Sequence, residues 1–429
     1  METSNEFAAV AIAKDQRVAW PRIASVAAMV AFSLPTFITG LELYHNMTPL
    51  SAALALLLGS LIIFIVGSLM GAVGALTHMS SYLLVRVAFG DRGAGLVNIA
   101  FAISLLGWFG VNINLFAEAA DGLSQTVFGG SLPPIVWMAI ASAAMTFTTL
   151  VGFKAINRLS VWLVPVLALV TVLLIYQSAK LQGLSGYFSS ETNGSLSLGD
   201  GVSAVVGAII IGAIILPDIT RFARHWSGAV YTAFFSYIVV QLLVMGAAAF
   251  AGGATGETEI IDLMVNIGLG LGAFIIVIAG SWVLNSLNLY SAVLGIKATY
   301  PRVPTVTLTL LLGVAGIVAG ALNLLDHFVT FIFYLSVIFV PVAGVLVVDF
   351  FLIRPAAYRI ETLANNAAIN LKAFLSWGVG AIIAVLMSEG IIPSITGMAA
   401  LDAAILSALI YTPLSWGDRQ RRAPAGAET

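Results

Sequence analysis

The sequence predicts an all-α integral membrane protein with twelve membrane-spanning helices. Of its 429 residues, 60% are hydrophobic and 9% are charged, whereas a soluble domain carries about 25% charged residues. The mean hydropathy is +1.04, and a spanning helix needs about 20 mostly apolar residues. Twelve stretches fit that requirement: 23–44, 51–74, 94–125, 134–151, 159–178, 201–219, 229–252, 267–294, 304–323, 328–352, 371–388 and 396–414.

Composition also limits the chemistry that the chain can perform. The net charge of -2 indicates no nucleic-acid partner, and the absence of cysteine excludes disulfides and thiolate-metal sites. The four histidines are scattered without the spacing of metal ligands, so we expect no metal and no other cofactor. The first 20 residues lack the apolar core and cleavage site of a signal peptide, and we interpret them as a cytoplasmic tail.

The distribution of basic residues predicts the orientation, because lysine and arginine concentrate in cytoplasmic loops. With the N-terminus inside, all but Lys180 of the 18 lysines and arginines fall on the cytoplasmic side. This predicts a multi-pass protein of the inner (plasma) membrane, with a transporter domain at 23–414 between cytoplasmic tails at 1–22 and 415–429. The connecting segments 78–90 and 257–266 could form short interfacial helices.

Trp108 lies in the middle of the third span, where a lipid-facing leucine or isoleucine would be ordinary. Gly107 and Gly110 leave room beside the indole, and Asn112 follows one helical turn later. Buried amides are costly in hydrocarbon, so they should face a protein interior or a cavity. We interpret this stretch as one wall of a binding site for a flat polar solute. The alternative is a tryptophan packed between helices with its indole N–H satisfied.

The first and sixth spans contain helix-breaking residues at similar positions. Pro35 interrupts the first span, because proline lacks an N–H and clashes with the preceding turn. The sixth span contains Gly207, Gly212 and Pro217, and we predict its break at Gly207–Gly212. Paired interruptions in equivalent helices indicate the binding site of a transporter. The alternative is a pair of ordinary helix kinks.

The eighth span has a polar stripe. Ser281, Asn285 and Asn288 are spaced i, i+4, i+7 and therefore share one helix face. An amide can donate and accept hydrogen bonds together, which suits the edge of a heterocycle. The alternative is hydrogen bonding between helices, which contributes only about 0.6 kcal/mol on average in membranes.

Several short segments together resemble the nucleobase–cation symporter-1 family, and within it the bacterial cytosine permeases. These segments are 76–90, 107–111, 217–222, 285–290 and 341–350. The resemblance implies a LeuT-type fold, with two inverted five-helix repeats and two extra helices. In this chain the repeats would be 23–178 and 201–352, and the extra helices would lie within 371–414.

The resemblance also implies a central site in which a base stacks on Trp108 and is held by Asn285. Leu105 stands where cytosine permeases have a glutamine, and Ile209 stands in place of an aromatic residue, with Ala208 and Ile211 replacing serines. The pocket should therefore be more apolar. The predicted substrate-binding residues are Trp108, Asn285, Ser33, Leu105, Gly207, Ala208, Ile209, Gly212, Asn112 and Ser281.

The same resemblance bears on the coupling ion. Sodium-coupled relatives use a Ser/Thr pair on the eighth helix, which aligns here with Val283 and Leu284. Only backbone carbonyls near Ala28 and Phe32 would then remain as ligands. Lys154 and Lys180 are predicted to lie outside the fifth helix, so neither replaces the ion with a fixed charge.

A proton needs only one carboxylate that changes access between states. Glu42 and Glu118 are the candidates, because both are predicted near the outer ends of spans that adjoin the site. The alternative is that both carboxylates simply lie in the outer interface.

These observations predict a secondary active transporter that imports a nucleobase or similar small N-heterocycle by alternating access, coupled to protons more readily than to sodium. Alternatives are another N-heterocycle (a hydantoin, allantoin or a thiamine-precursor pyrimidine), sodium coupling, or passive facilitation. No convergent nucleophile, base or metal cluster is visible, so we do not expect an enzyme. With no P-loop in the sequence, energy would come from an ion gradient or from none.

Overall fold

The computed structural model describes residues 11–128, 130, 132–189, 194–322 and 328–420. The outermost parts of the two predicted tails, 1–10 and 421–429, lie outside these residues. Within the described part of the chain, a helix lies at each of the twelve predicted spans. The helices are α1 (Trp20–Ala31), α2 (Leu34–Asn46), α3 (Pro49–Thr77), α4 (Ser81–Phe89), α5 (Gly93–Phe128), α6 (Pro134–Val151), α7 (Phe153–Leu181), α8 (Leu184–Ser189), α9 (Leu198–Ile214), α10 (Pro217–Thr220), α11 (Trp226–Thr255), α12 (Ile260–Asn266), α13 (Gly270–Thr299), α14 (Thr305–Ala321), α15 (Phe328–Val348), α16 (Leu371–Ser388) and α17 (Ala399–Gln420).

Burial separates central helices from peripheral ones. In an 18-residue stretch of the span formed by α9 and α10, 83% of the residues are buried, whereas in such a stretch of α16 only 22% are. Large apolar side chains such as Phe147 and Trp162 point outward and are 69% and 75% exposed. A bundle in lipid needs this arrangement, because its hydrogen-bonded helices can present apolar side chains to hydrocarbon at no cost.

Helix packing follows a two-fold pattern that relates the first five spans to the next five. The first span (α1 and α2) and the sixth span (α9) have equivalent neighbours. Helix α2 packs against the seventh span, α11, and α9 packs against the second span, α3. Likewise, α1 packs against the fifth span, α7, and α9 packs against the tenth span, α15. The central helices α5 and α13 pack against each other, and so do α6 and α14. Helices α16 and α17 pack on α15. The predicted fold, two five-helix repeats with two extra helices, is confirmed.

Loops gather at two faces of the bundle. At one, which we call the N-terminal face, the Val18 N–H donates to the Phe222 carbonyl at 2.7 Å. At the opposite face, the Leu196 N–H donates to the Asn46 carbonyl at 3.0 Å. The short helices α4 and α12 lie at the N-terminal and opposite faces respectively, where short interfacial helices were predicted.

The first span is interrupted as predicted. Helices α1 and α2 meet at a 52° bend, and the Phe32 N–H closes the last turn of α1 on the Ala28 carbonyl. The Val30 carbonyl accepts hydrogen bonds from the Ser33 hydroxyl at 2.8 Å and the Thr36 hydroxyl at 3.3 Å. Side-chain hydroxyls thus satisfy a carbonyl at the break.

The predicted break of the sixth span at Gly207–Gly212 is wrong. Helix α9 continues through both glycines, and the turn comes later, at Ile215 and Leu216. Pro217 fixes that position, because it has no N–H to continue the helix. Gly212 allows close packing: a Cβ added there would lie 3.3 Å from a Val30 methyl group on α1.

The predicted bounds of the fifth span are also too narrow. Lys154 and Lys180 both lie inside α7, near its two ends, and not in the flanking loops. The reason is Gly152, whose φ of 93° ends α6 and lets α7 begin at the next residue. At the other end, the Lys180 ammonium lies 4.4 Å from the centre of the Tyr176 ring.

Candidate functional site

A cavity lies at the centre of the bundle, among the α1–α2 break, α5, α9 and α13. Its volume is about 40 Å³. That is room for about three waters. Such a narrow space suits a flat ring better than a bulky solute.

Six of the ten predicted substrate-binding residues line this cavity: Ser33, Leu105, Trp108, Ala208, Ile209 and Gly212. They come from three separate spans, which the fold brings together. The other four, Gly207, Asn112, Ser281 and Asn285, are buried but do not line it. Their roles in binding therefore remain predictions.

Trp108 forms the aromatic part of the wall and is 7% exposed. One turn later on α5, the Asn112 amide donates to the Trp108 carbonyl at 2.8 Å. Asn112 therefore supports the backbone that carries the indole. Its side-chain oxygen is buried and has no hydrogen-bond partner among the described residues.

Of the three residues in the predicted stripe on α13, Asn288 lines the cavity, and Asn285 lies behind it. The Asn285 amide nitrogen donates to the Phe109 carbonyl of α5 at 2.9 Å. The Asn285 side-chain oxygen accepts from the Asn288 amide nitrogen at 3.3 Å. The two asparagines thus form a short relay from α5 to the cavity wall.

Ser291 is a lining residue that sequence reasoning missed, although a signal for it was present. It extends the stripe Ser281, Asn285, Asn288 by three more residues and so falls on the same helix face. Asn288 belonged to the predicted stripe but not to the predicted binding residues. The other unpredicted lining residues are apolar and carry no such signal in the sequence: Val30, Ile211, Ile215, Ile219, Leu284 and Leu287. They make the wall largely hydrocarbon, in line with the predicted apolar pocket.

The end of the cavity toward the N-terminal face meets a buried carboxylate. The Ser291 hydroxyl donates to Asp218 Oδ2 at 2.9 Å, and the Ser81 N–H donates to Asp218 Oδ1, also at 2.9 Å. Close by, the Arg221 guanidinium donates to the Asp218 carbonyl at 3.2 Å and to the Tyr290 hydroxyl at 2.7 Å. Asp218 and Arg221 are both fully buried.

The two glutamates predicted for ion coupling lie away from this cavity. Both side chains are exposed, and neither residue is among those that line the cavity. Glu42 accepts a hydrogen bond from the Asn46 amide at 3.0 Å.

Gly280 of α13 packs closely against the helix break. A Cβ added to Gly280 would lie 2.7 Å from the Phe32 carbonyl oxygen. Val283 and Leu284 come one turn later on α13, and Leu284 lines the cavity. Gly280 itself brings no side-chain oxygen to the break, and the alignment of Val283 and Leu284 with the Ser/Thr pair of sodium-coupled relatives stays a prediction.

Two bacterial permeases are similar to this chain over most of its length. The cytosine permease of Escherichia coli (strain K12) is 28% identical over 380 residues, which cover 88% of this chain and 85% of that protein. The hydantoin permease of Microbacterium maritypicum is 26% identical over 356 residues, which cover 75% of this chain and 71% of that protein.

Solved structures share the fold. MHP1, a nucleobase-cation-symport-1 family transporter in a closed conformation with bromovinylhydantoin bound, matches with a TM-score of 0.82, 19% identity and 96% coverage of both chains. The inward-facing conformation of Mhp1 gives a TM-score of 0.79 at 18% identity, over 96% of this chain and 93% of that one. A family model described as permease for cytosine/purines, uracil, thiamine, allantoin matches residues 16–406. The chain therefore belongs to that permease family, and it is a membrane transporter and not an enzyme.

Proposed function

We propose that this protein is a secondary active importer of a small N-heterocycle, working by alternating access around the central cavity. The observation that carries the proposal is the cavity itself, a narrow and mostly apolar space whose wall includes the Trp108 indole and the Asn288 amide. Aromatic stacking contributes about 0.5–1.5 kcal/mol beyond burial. Two relatives are named for cytosine and hydantoin, and both of these solutes are flat nitrogen heterocycles.

The distribution of basic residues supports an orientation with the N-terminal face in the cytoplasm of a plasma-membrane protein. Arg86, Arg92, Arg221 and Arg354 lie in or beside the segments at that face. Positively charged loops remain on the cytoplasmic side during insertion. Labelling single introduced cysteines from outside tests this directly, since the chain has no native cysteine.

Trp108→Ala tests the site. We expect it to abolish high-affinity uptake of a radiolabelled substrate found by competition screening, while expression stays near normal. Trp108→Phe should keep partial activity, because a phenyl ring can still stack. The matched control is Trp162→Ala, which removes a tryptophan that is 75% exposed on α7. Unchanged affinity in Trp108→Ala would mean that the indole is only packing.

For the driving ion we propose a proton. Sodium, like other hard cations, prefers several oxygen ligands, and Gly280 offers no side-chain oxygen to the Phe32 carbonyl at the helix break. Uptake should persist when choline replaces sodium and should fall when a protonophore collapses the pH gradient. Glu42→Gln and Glu118→Gln test the two glutamates as coupling groups. Uptake indifferent to both ions would identify a facilitator.

Sodium coupling is the second candidate, and one observation favours it. The Ser281 hydroxyl, next to Gly280, is fully buried and has no hydrogen-bond partner among the described residues. A hydroxyl in that position could join backbone carbonyls around a cation. A saturable sodium requirement that disappears in Ser281→Ala would establish this candidate and exclude the proton.

A further inference from the structure

Most hydrogen-bond donors on the hydroxyl and amide side chains of the cavity wall already donate to neighbouring groups of the protein. Ser33, Asn288 and Ser291 are the hydroxyl- and amide-bearing residues of the lining. Each donates to a neighbouring group whose chemistry fixes the direction of the hydrogen bond. A serine has a single hydroxyl hydrogen, so a serine whose donor is occupied offers only lone pairs to a ligand.

The direction of the asparagine relay follows from its first member. A backbone carbonyl can only accept, so the Asn285 group facing the Phe109 carbonyl must be its NH2. The Asn285 oxygen then faces Asn288. Because that oxygen can only accept, the Asn288 group that meets it must be its NH2, which donates the hydrogen bond. The Asn288 oxygen is left as an acceptor for the cavity, together with one remaining amide hydrogen.

The two serines follow the same logic. The Ser33 hydroxyl donates to the Val30 carbonyl, which cannot donate in return. The Ser291 hydroxyl donates to Asp218 Oδ2, while the other carboxylate oxygen, Oδ1, accepts from the Ser81 N–H. The polar edge therefore presents three acceptor atoms and one free amide hydrogen.

We infer that the transported ring carries an exocyclic amine, and that the protein selects amino heterocycles over their oxo counterparts. Asn288 and Ser291 are three residues apart on α13, so their side chains are neighbours on one helix face. An NH2 group has two hydrogens, one for the Asn288 oxygen and one for the Ser291 oxygen. A ring carbonyl in that place would set its lone pairs against those of Ser291. This inference deepens the proposed function and rests on it.

The rest of the lining restricts the other substituents of the ring. Ile209, Ile211, Ile215, Leu284 and Leu287 offer only hydrocarbon side chains. A carbonyl placed against them would lose its hydrogen bonds to water without replacement. The inferred substrate is therefore an amino-substituted ring whose other edges are apolar or carry alkyl groups.

The experiment measures binding of matched amino and oxo pairs to the purified wild-type protein by competition against a bound radioligand. The probes are cytosine and uracil, adenine and hypoxanthine, and 4-amino-2-methylpyrimidine with its 4-oxo analogue. We expect the amino member to bind at least ten-fold more tightly in each pair that binds. Equal or tighter binding of the oxo members overturns the inference. If Trp108→Ala still abolishes binding in that case, the proposed function stands; if no probe binds, both fail.

Variants test whether the relay sets this selectivity. Asn285→Leu removes the group that orients Asn288, so the ratio of amino to oxo affinity should fall towards one. Asn288→Leu should weaken the amino member by ten-fold or more. The control is Asn98→Leu, a buried asparagine on α5 that donates to Thr299 and lies outside the cavity wall. An unchanged ratio in a folded Asn285→Leu protein, judged by the thermal transition, contradicts the relay.

Discussion

Two fully buried aspartates near the N-terminal face, Asp349 and Asp218, are held in different ways. Asp349 accepts two hydrogen bonds from Arg354, at 2.9 and 2.7 Å, and one each from Tyr358 and Tyr411, at 2.7 and 2.8 Å. Asp218 accepts one from a backbone N–H and one from the Ser291 hydroxyl.

The difference separates a structural carboxylate from one that can serve the site. Arg354 also donates to the Val87 carbonyl of α4, and Tyr411 belongs to α17. Asp349 therefore joins both repeats and the extra helices at one point. Asp218 contacts the cavity through a single hydroxyl, so a change in its charge alters what the ligand meets. Equal burial of two carboxylates thus does not imply equal roles.

The cluster around Asp349 should show the largest effect on stability. Asp349→Asn leaves the Arg354 guanidinium, whose side chain is 12% exposed, without its anionic partner. Breaking a buried ion pair costs about 3–5 kcal/mol. We expect a clear fall in the thermal transition of the detergent-purified protein and a lower yield.

The control for this change is Asp91→Asn, in a pair with Arg86 whose side chains are 37% and 19% exposed. Such surface pairs contribute about 0–1 kcal/mol. Equal losses in the two variants would contradict the structural role of Asp349.

The number and positions of the spans could be predicted because they follow from long-range averages of the sequence, whereas the arrangement in two inverted repeats was implied by the family resemblance. Twelve apolar stretches and one proline break specify the helices, and tertiary packing cannot move them far. The break of the sixth span was predicted at the wrong position, because a glycine in a helix can indicate either a break or close packing against a neighbouring helix. At Gly212 the missing side chain makes room for Val30, and the proline five residues later ends the helix.

The site was only partly predictable for a similar reason. Helical spacing identified the α13 stripe, but not which of its members reaches the cavity. That depends on the rotation of α13 against α5, where the Asn285 amide meets the Phe109 carbonyl. The apolar lining residues cannot be told from core residues in the sequence, because both are ordinary isoleucines and leucines.

Asp218→Asn should show an intermediate effect on stability and a specific effect on selectivity. The Asn oxygen can still accept from the Ser81 N–H, but its NH2 would replace the oxygen that accepts from Ser291. Exchanging hydrogen bonds to a charged acceptor for neutral ones costs about 1–2 kcal/mol, less than Asp349→Asn.

The freed Ser291 hydrogen would then point into the cavity and offer a donor to ring carbonyls. We therefore expect the ratio of amino to oxo affinity to fall in Asp218→Asn and to stay unchanged in a weakly destabilised Asp349→Glu protein. A change of ratio in both variants would show that general loosening, not the Ser291 hydrogen, controls selectivity.

His78 should show the smallest effect, and it appears only in acid. It lies at the end of α3 with its Nδ1 2.9 Å from the Arg221 carbonyl, next to the Asp218 region. Burial lowers the pKa of His78 below its ordinary value of 6.5; the hydrogen bond to Arg221 opposes this shift, and the Arg17 charge adds to it. The folded state thus favours the neutral ring, so the contribution of His78 to stability is present above pH 6.5 and is lost as pH falls.

His78 has a φ of 55°, which asparagine tolerates. The thermal transition of His78→Asn should therefore decline less between pH 7 and pH 5 than that of the wild type, and His225→Asn, at an exposed histidine, is the control. Parallel declines in all three proteins would mean that His78 does not link this region to pH.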